Sequence, residues 1–203
     1  TASFLGGTGT SVQGFPEADT SGVEMDFIYA PNADLLLGGN ASYTDANYSK
    51  EYIQPTGHVG VIDVNNPEAP TSLYTDAERN VPIKGLQMLR IPKSKMAFYA
   101  NLTKDALGGT VDYLVTYSWT SSINWDDSQI SIDESPDFSR MDLKVTYTNN
   151  EEDLEIMAFV NNVQNTIGVR NMWRQGEDQG YQRSIAPTLP RMAGIGFTYK
   201  FGQ

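Results

Sequence analysis

Apolar and polar residues alternate along most of this chain. In the run at 111–120, for example, Val111, Tyr113 and Val115 take alternate positions, with Asp112 and other residues between them. Successive side chains of a β-strand point to opposite faces of its sheet, so such a run predicts a strand with one apolar face. Seven runs show the alternation: 22–30, 37–44, 95–103, 111–120, 140–148, 154–161 and 195–201. The sequence therefore predicts an all-β protein.

The apolar faces of these runs suit a membrane as well as a protein core. A membrane barrel turns apolar side chains to lipid and polar ones to its lumen, but a soluble sheet with one buried face alternates in the same way. The run at 154–161 is less regular, because Met157 and Phe159 fall on its otherwise polar face. On the barrel interpretation we expect four residues to face lipid: Phe98, Tyr113, Val115 and Val145. Three others are expected to face the lumen: Asn101, Thr116 and Lys144.

The connections between the runs alternate in length. Short turns are predicted at 31–33, 105–109 and 149–153. Longer loops are predicted at 49–85, 127–137 and 176–188. Short and long connections in alternation are typical of an antiparallel barrel with periplasmic turns and extracellular loops. Counted from these turns, the last strand runs toward the periplasm.

An odd strand number is unusual for a complete bacterial barrel, since single-chain barrels have an even count. Residues 1–14 are rich in glycine and are predicted to form a loop rather than an eighth strand. The pattern therefore predicts about seven strands of a larger transmembrane β-barrel. A small self-contained barrel, acting as a pore or adhesin, and a soluble β-sandwich binding module are the alternatives.

Composition narrows the functional classes. The net charge of −11 and the pI of about 4.4 argue against a nucleic-acid partner, because no basic patch is available for phosphates. The mean hydropathy of −0.39 does not exclude a barrel, whose loops and lumen-facing residues are polar. The chain has no cysteine, so it contains no disulfide, thiol nucleophile or thiolate metal site.

The end of the chain resembles the C-terminal assembly signal of Gram-negative outer-membrane barrels. That signal consists of a glycine, two residues, an aromatic residue, one residue and a final aromatic residue. Gly196, Tyr199 and Phe201 fit this spacing, although two further residues follow Phe201. The resemblance implies that the barrel-assembly machinery recognises this strand.

Five segments, in order, resemble those of TonB-dependent outer-membrane receptors. GVEMDFIYAP at 22–31 and GNASYTDANY at 39–48 are similar to two consecutive strands of that family. GLQMLRIPK at 85–93 resembles its G-x-x-L-x-x-x-P-K segment. FVNNVQN at 159–165 is similar to its F-V-x-N-L-x-D element, with Asn162 at the asparagine position, and PRMAG at 190–194 resembles the segment before its last strand.

The resemblance implies that residues 1–203 are the C-terminal part of a receptor barrel of about 22 strands. The plug domain and the contact with the TonB complex would then lie upstream, outside this chain. It implies a protein of the Gram-negative outer membrane, in contact with its lipid, that imports a scarce nutrient. An iron–siderophore complex is the ligand we expect, with cobalamin or an oligosaccharide as alternatives.

No enzymatic site, cofactor or metal site is predicted. His58 is the only histidine, so a catalytic triad or a metal centre would lack its usual partners. The acidic residues of 126–137 show no calcium-ligand spacing and are interpreted as a solvated loop. Because long loops are usually functional, the loop at 49–85 is predicted to contribute ligand contacts from four residues: Tyr52, His58, Tyr74 and Arg79. Tyr43, Tyr48, Trp119 and Trp125 could stack on a ligand or form an interfacial aromatic belt.

Overall fold

A computed structural model describes residues 17–55, 80–126, 133–174 and 182–201. Within these ranges the strands are β1 (Ala18–Asn32), β2 (Leu35–Tyr48), β3 (Ile53–Pro55), β4 (Asn80–Pro82), β5 (Ser94–Ala106), β6 (Gly109–Thr120), β7 (Ile123–Asn124), β8 (Glu134–Ser135), β9 (Phe138–Asn149), β10 (Leu154–Asn161), β11 (Val169–Arg174), β12 (Arg183–Pro187) and β13 (Met192–Tyr199). The described part of the chain contains no helix with the length and apolar character needed to cross a membrane.

Seven strands form one antiparallel sheet in the order β1-β2-β5-β6-β9-β10-β13. These are the seven strands that the alternation predicts, so the all-β antiparallel fold is confirmed. Most extend beyond the predicted run, because an alternating pattern weakens where strands reach the ends of the sheet. The last strand differs most: it begins at Met192 and ends at Tyr199, so Phe201 lies beyond it.

Cross-strand pairing places the alternating apolar positions of all seven strands on one face. Phe98 lies opposite Gly39 on one side and Tyr117 on the other. Val115 similarly lies between Ala100 and Leu143. The four residues expected to face lipid belong to this apolar face and are 37–43% exposed. A soluble β-sandwich would bury these side chains, so their exposure argues against that alternative.

The irregular run at 154–161 has a steric explanation. Met157 lies opposite Gly196, and Phe159 lies opposite Gly194, both on the polar face. A Cβ atom at Gly194 would come within 2.7 Å of the Phe159 ring, and one at Gly196 within 3.1 Å of Met157 Cε. The two large side chains therefore occupy space that the glycines of β13 leave open.

Three short turns lie at one end of the sheet, which we call the turn end. The first turn comprises residues 33–34, not 31–33 as predicted, because Pro31 and Asn32 still belong to β1. The register of β1 against β2 shifts between Tyr29 and Asn32, and proline is tolerated at such irregularities of a strand. Asn32 Oδ1 closes the turn by accepting hydrogen bonds from the amides of Asp34 and Leu35, each at 3.0 Å.

The other two turns match their predicted positions. Between β5 and β6, Leu107 (φ 56°) and Gly108 (φ 72°) both have positive φ, as a type I′ hairpin turn requires. Between β9 and β10, Asn149 organises the turn. Its Nδ2 donates to Asp153 Oδ1 (2.6 Å), and its Oδ1 accepts from the amide of Leu154 (2.9 Å).

The predicted long loops are partly folded at the opposite end, which we call the loop end. Three two-stranded ribbons, β3–β4, β7–β8 and β11–β12, project from the sheet there. The loops at 49–85, 127–137 and 176–188 therefore contain strands that were not predicted. Their two to six residues are too few to show a clear alternation. Residues 56–79, 127–132 and 175–181 lie outside the described ranges.

Candidate functional site

The loop end of the last three strands carries a set of polar contacts that we call the loop-end platform. It consists of the ribbons β7–β8 and β11–β12 together with residues 162–168. The amide of Val163 donates to the carbonyl of Met141 (2.8 Å), and Thr166 Oγ1 donates to the carbonyl of Ser139 (2.8 Å). Residues 162–168 therefore run along the loop end of β9, which fixes where the connection to β13 begins.

Asn162 is the centre of this connection. It is 1% exposed and has a φ of 54°, a conformation that asparagine adopts more readily than most residues. Its amide N donates to Asp142 Oδ1 (2.7 Å), and its Nδ2 donates to the carbonyls of Thr166 (2.7 Å) and Leu189 (3.2 Å). The carboxamide thus satisfies backbone groups from two separate segments. The asparagine of the motif at 159–165 therefore has a structural role.

Asn165 and Arg191 complete the link between β10 and β13. The amide of Arg191 donates to Asn165 Oδ1 (3.0 Å), and Arg191 Nη1 donates to the carbonyl of Val163 (3.4 Å). Asn165 itself has a positive φ of 55°. The motifs at 159–165 and 190–194 are thus two sides of one contact. The family resemblance identifies both segments, but it does not predict that they contact each other.

A buried ion pair joins the two ribbons of the platform. Arg183 Nε lies 2.7 Å from Asp133 Oδ1, and the side chains are 19% and 2% exposed, respectively. Arg183 Nη2 is buried and has no hydrogen-bond partner among the described residues. On the β7–β8 side, the carbonyl of Asp133 accepts from the amide of Trp125 (3.0 Å), whose Nε1 donates to Ser135 Oγ (3.0 Å). The ion pair therefore joins the segment between β6 and β9 to the segment between β10 and β13.

Asp133 belongs to the segment 126–137, which is predicted to be a solvated acidic loop. That prediction is wrong for Asp133, because its carboxylate is buried and paired with the guanidinium of Arg183. Asp137, in the same loop, accepts a hydrogen bond from Trp119 Nε1 (3.0 Å). Among the described residues, no group of three histidine, cysteine or acidic side chains is arranged to hold a metal ion.

The four aromatic residues considered as stacking partners divide into two pairs. Tyr48 and Trp125 are 5% and 9% exposed, so they pack within the protein. Tyr43, which is 51% exposed, and Trp119 lie at the loop end of the apolar face, where Trp119 is paired with Met96. This position favours an interfacial aromatic belt for Tyr43 and Trp119.

Residues 83–93 extend the sheet beside β2, which was not predicted. The amide of Tyr48 donates to the carbonyl of Leu86 (3.0 Å), and that of Met88 donates to the carbonyl of Ala46 (2.8 Å). Gly85 allows the bend before this extension because its φ is 79°. The glycine of the motif at 85–93 thus marks where the chain turns back toward β5. Ile83, fully buried, anchors the same bend.

Of the four predicted ligand residues, only Tyr52 is among the described residues. Tyr52 lies between β2 and β3, and its carbonyl accepts from the amide of Ile83 (3.1 Å). His58, Tyr74 and Arg79 lie outside the described residues. Their role in ligand capture therefore stays a prediction.

The residues of the predicted assembly signal lie at the turn end. Gly196 and Tyr199 are in β13, and Phe201, which is 88% exposed, follows it. The rings of Tyr199 and Phe201 pack edge to face, with centroids 4.8 Å apart. The amide of Lys200 donates to the carbonyl of Asp153 (2.8 Å). The two aromatic side chains thus form one exposed apolar group beside the last turn.

Known proteins share this architecture. The ferric yersiniabactin uptake receptor FyuA from Yersinia pestis superposes with a TM-score of 0.66 at 13% identity, covering 91% of this chain and 24% of its own. The siderophore receptor PiuA from Acinetobacter baumannii gives 0.63 at 11% identity, covering 90% and 22%. BauA, the ferric preacinetobactin receptor from Acinetobacter baumannii, gives 0.58 at 15% identity, covering 90% and 22%. The chain spans about a quarter of the length of these receptors.

Sequence comparison assigns the family. No curated protein is significantly similar to the chain. The family model described as TonB dependent receptor-like, beta-barrel matches residues 1–163. This family and the three similar structures are transport receptors, not enzymes, and their barrels lie in the Gram-negative outer membrane. The chain therefore belongs to the TonB-dependent receptor β-barrel family of the outer membrane.

Proposed function

We propose that residues 1–203 form the C-terminal part of a receptor barrel whose complete protein imports an iron–siderophore complex. The observation that carries this proposal is the seven-stranded sheet with one apolar and one polar face. Residues 1–163, which contain most of this sheet, match a family of outer-membrane receptor barrels. The similar structures are described as siderophore receptors, which supports this ligand class over cobalamin or an oligosaccharide. Upstream plug and TonB-contacting segments would supply energy coupling.

In this proposal the chain supplies barrel wall and loop-end ribbons. Among the described residues, β1 and β13 are the two edges of the sheet and do not pair with each other. A sheet edge in lipid would leave backbone groups without hydrogen bonds, so each edge requires a further strand. This requirement supports a larger barrel over a small self-contained barrel of eight strands that acts as a pore or adhesin.

Iron uptake by cells that carry the full-length receptor tests the function. A strain lacking the gene should lose uptake of ⁵⁵Fe carried by its own secreted siderophores, and the intact gene should restore it. A receptor lacking residues 56–79 but keeping the β3–β4 pairing at 53–55 and 80–82 should still fold and should restore uptake poorly. Deletion of this length leaves both ribbon strands available to close the shortened loop.

Three results would contradict parts of the proposal. If the gene-deleted strain kept its iron uptake and lost uptake of cobalamin or an oligosaccharide, the iron–siderophore ligand would be contradicted and the lost nutrient would take its place. Full uptake by the receptor lacking 56–79 would remove His58, Tyr74 and Arg79 as the main ligand contacts. Loss of folded receptor on the same deletion would assign the loop a structural role.

The C-terminal strand is proposed to act in assembly. We expect Phe201→Ala or Tyr199→Ala in the full-length receptor to lower its abundance in the outer membrane several-fold, with uptake per folded molecule unchanged. Both rings are exposed at the turn end and are available to the barrel-assembly machinery. Ile195→Ala is the matched control, because Ile195 is an exposed apolar residue of β13 outside the signal. Normal abundance with reduced uptake would contradict the assembly role.

A further inference from the structure

The three ribbons of the loop end are joined in a row by contacts between their connections. Residues 83–93 follow β4, and within them the amide of Arg90 donates to the carbonyl of Asn124 in β7 (2.9 Å). Asp133, which precedes β8, pairs in turn with Arg183, the first residue of β12. The ribbon β7–β8 is therefore the middle member of the row. We call the three ribbons together with residues 83–93 the loop-end collar.

The middle ribbon has too little pairing of its own to be stable alone. Each of its strands has two residues, so it contains two cross-strand pairs. An isolated two-stranded hairpin is marginally stable at best, even when it is longer than this one. Trp125 adds two hydrogen bonds, from its amide to the carbonyl of Asp133 (3.0 Å) and from Nε1 to Ser135 Oγ (3.0 Å). The order of β7–β8 therefore depends on the segments that contact it.

The two links to the outer ribbons enter the middle ribbon at adjacent positions. Asn124, whose carbonyl accepts the hydrogen bond from Arg90, is paired across the ribbon with Glu134. Asp133, which holds Arg183, is the residue immediately before Glu134. Proteins open locally in small contiguous units. An opening that separates the strands of β7–β8 would therefore disturb the hydrogen bond and the ion pair together.

Arg90 is the exposed end of an anchored segment. Ile83 is fully buried, and its amide donates to the carbonyl of Tyr52 (3.1 Å), while the amide of Met88 donates to a carbonyl of β2 (2.8 Å). Arg90 itself is exposed and has a φ of 60°, which is uncommon for a residue other than glycine. Its hydrogen bond to Asn124 is made from this conformation. The φ preference of residue 90 therefore controls the link to the middle ribbon.

We propose that the loop-end collar is one cooperative unit, in which opening of β7–β8 couples residues 83–93 to β11–β12. Because both links depend on the same marginal ribbon, a ligand or partner that orders one outer segment would also order the other. The coupling must act equally in both directions. The inference does not depend on which nutrient the complete receptor imports or on what contacts the polar face of the sheet.

Amide hydrogen exchange of the full-length receptor, followed by mass spectrometry, tests the coupling. Arg90→Val introduces a β-branched residue that strongly disfavours positive φ. We expect exchange to become several-fold faster at residues 88–91, in β7–β8 and also in β11–β12, which belongs to a different connection. Arg90→Gly is the matched control, because it removes the same side chain but adopts positive φ readily. Its exchange in β11–β12 should match that of the unaltered receptor.

The reciprocal variant Arg183→Met breaks the link on the other side of the middle ribbon. It should accelerate exchange at residues 88–91 several-fold, and it decides the question if Arg90→Val does not yield a folded receptor. Slow exchange in β6 identifies the folded barrel in each variant. Faster exchange confined to the altered connection and β7–β8 would overturn the cooperative unit. An equal rise in β11–β12 for Arg90→Val and Arg90→Gly would assign the effect to the lost side chain and contradict the backbone link.

Discussion

Asp133→Ala should destabilise the loop-end platform by about 3 kcal/mol, the lower end of the range for breaking a buried ion pair. The substitution leaves the charge of Arg183 in a site that is 19% exposed, where its Nη2 already has no hydrogen-bond partner in the described part of the chain. The seven-stranded sheet does not depend on this contact. We therefore expect local opening of β7–β8 and β11–β12 without loss of the folded barrel. Amide hydrogen exchange of the full-length receptor would measure this local opening of the two ribbons.

Two variants control for this result. Glu51→Ala breaks a salt bridge to Lys84 whose side chains are 77% and 51% exposed, so its effect should be within about 1 kcal/mol. The double variant Asp133→Ala with Arg183→Met removes both charges. It should restore much of the protection of the ribbon amides against hydrogen exchange. Unchanged exchange in Asp133→Ala would show that the pair does not hold the ribbons together.

Val115→Arg should cost about 2–4 kcal/mol, because it places a charge on the lipid face near the middle of β6. Val115 lies between Ala100 and Leu143 on the apolar face. Thr116→Arg is the matched control, since the adjacent residue points to the polar face. Folded full-length receptor can be scored by heat-modifiable gel mobility. Equal tolerance of the two variants would contradict the assignment of the apolar face to lipid.

The sheet could be predicted because each of its strands contacts two different environments. Lipid on one side and water on the other impose a period of two, which residues 111–120 show clearly. The ribbons have no such constraint. β7 has two residues, and β3–β4 includes Pro55 and Pro82, so neither segment shows a strand pattern. Short ribbons at a loop end are set by tertiary contacts that a local pattern does not contain.

The loop-end platform was predictable only in part. Asn162 was identified by its place in a family-like segment, but its bonds to Thr166 and Leu189 depend on how distant segments meet. Asp133 and Arg183 are 50 residues apart and lie in two separate connections. An ion pair between loops has no sequence signature, because either residue alone resembles an ordinary surface charge. The pair exists only because the fold brings the two connections together.

The glycines of β13 also solve an ambiguity that the membrane leaves open. A slip of β13 by two residues against β10 would keep every apolar side chain in lipid, so partition between lipid and lumen cannot reject it. The two glycines of β13 do disfavour such a slip. After a slip in one direction Met157 would face Thr198, and after a slip in the other Phe159 would face Met192. Either slip places a large side chain against another side chain instead of an open backbone. Gly194 and Gly196 together therefore fix the register of β13 against β10. The lipid selects which face of the strand is apolar, and steric fit selects the register.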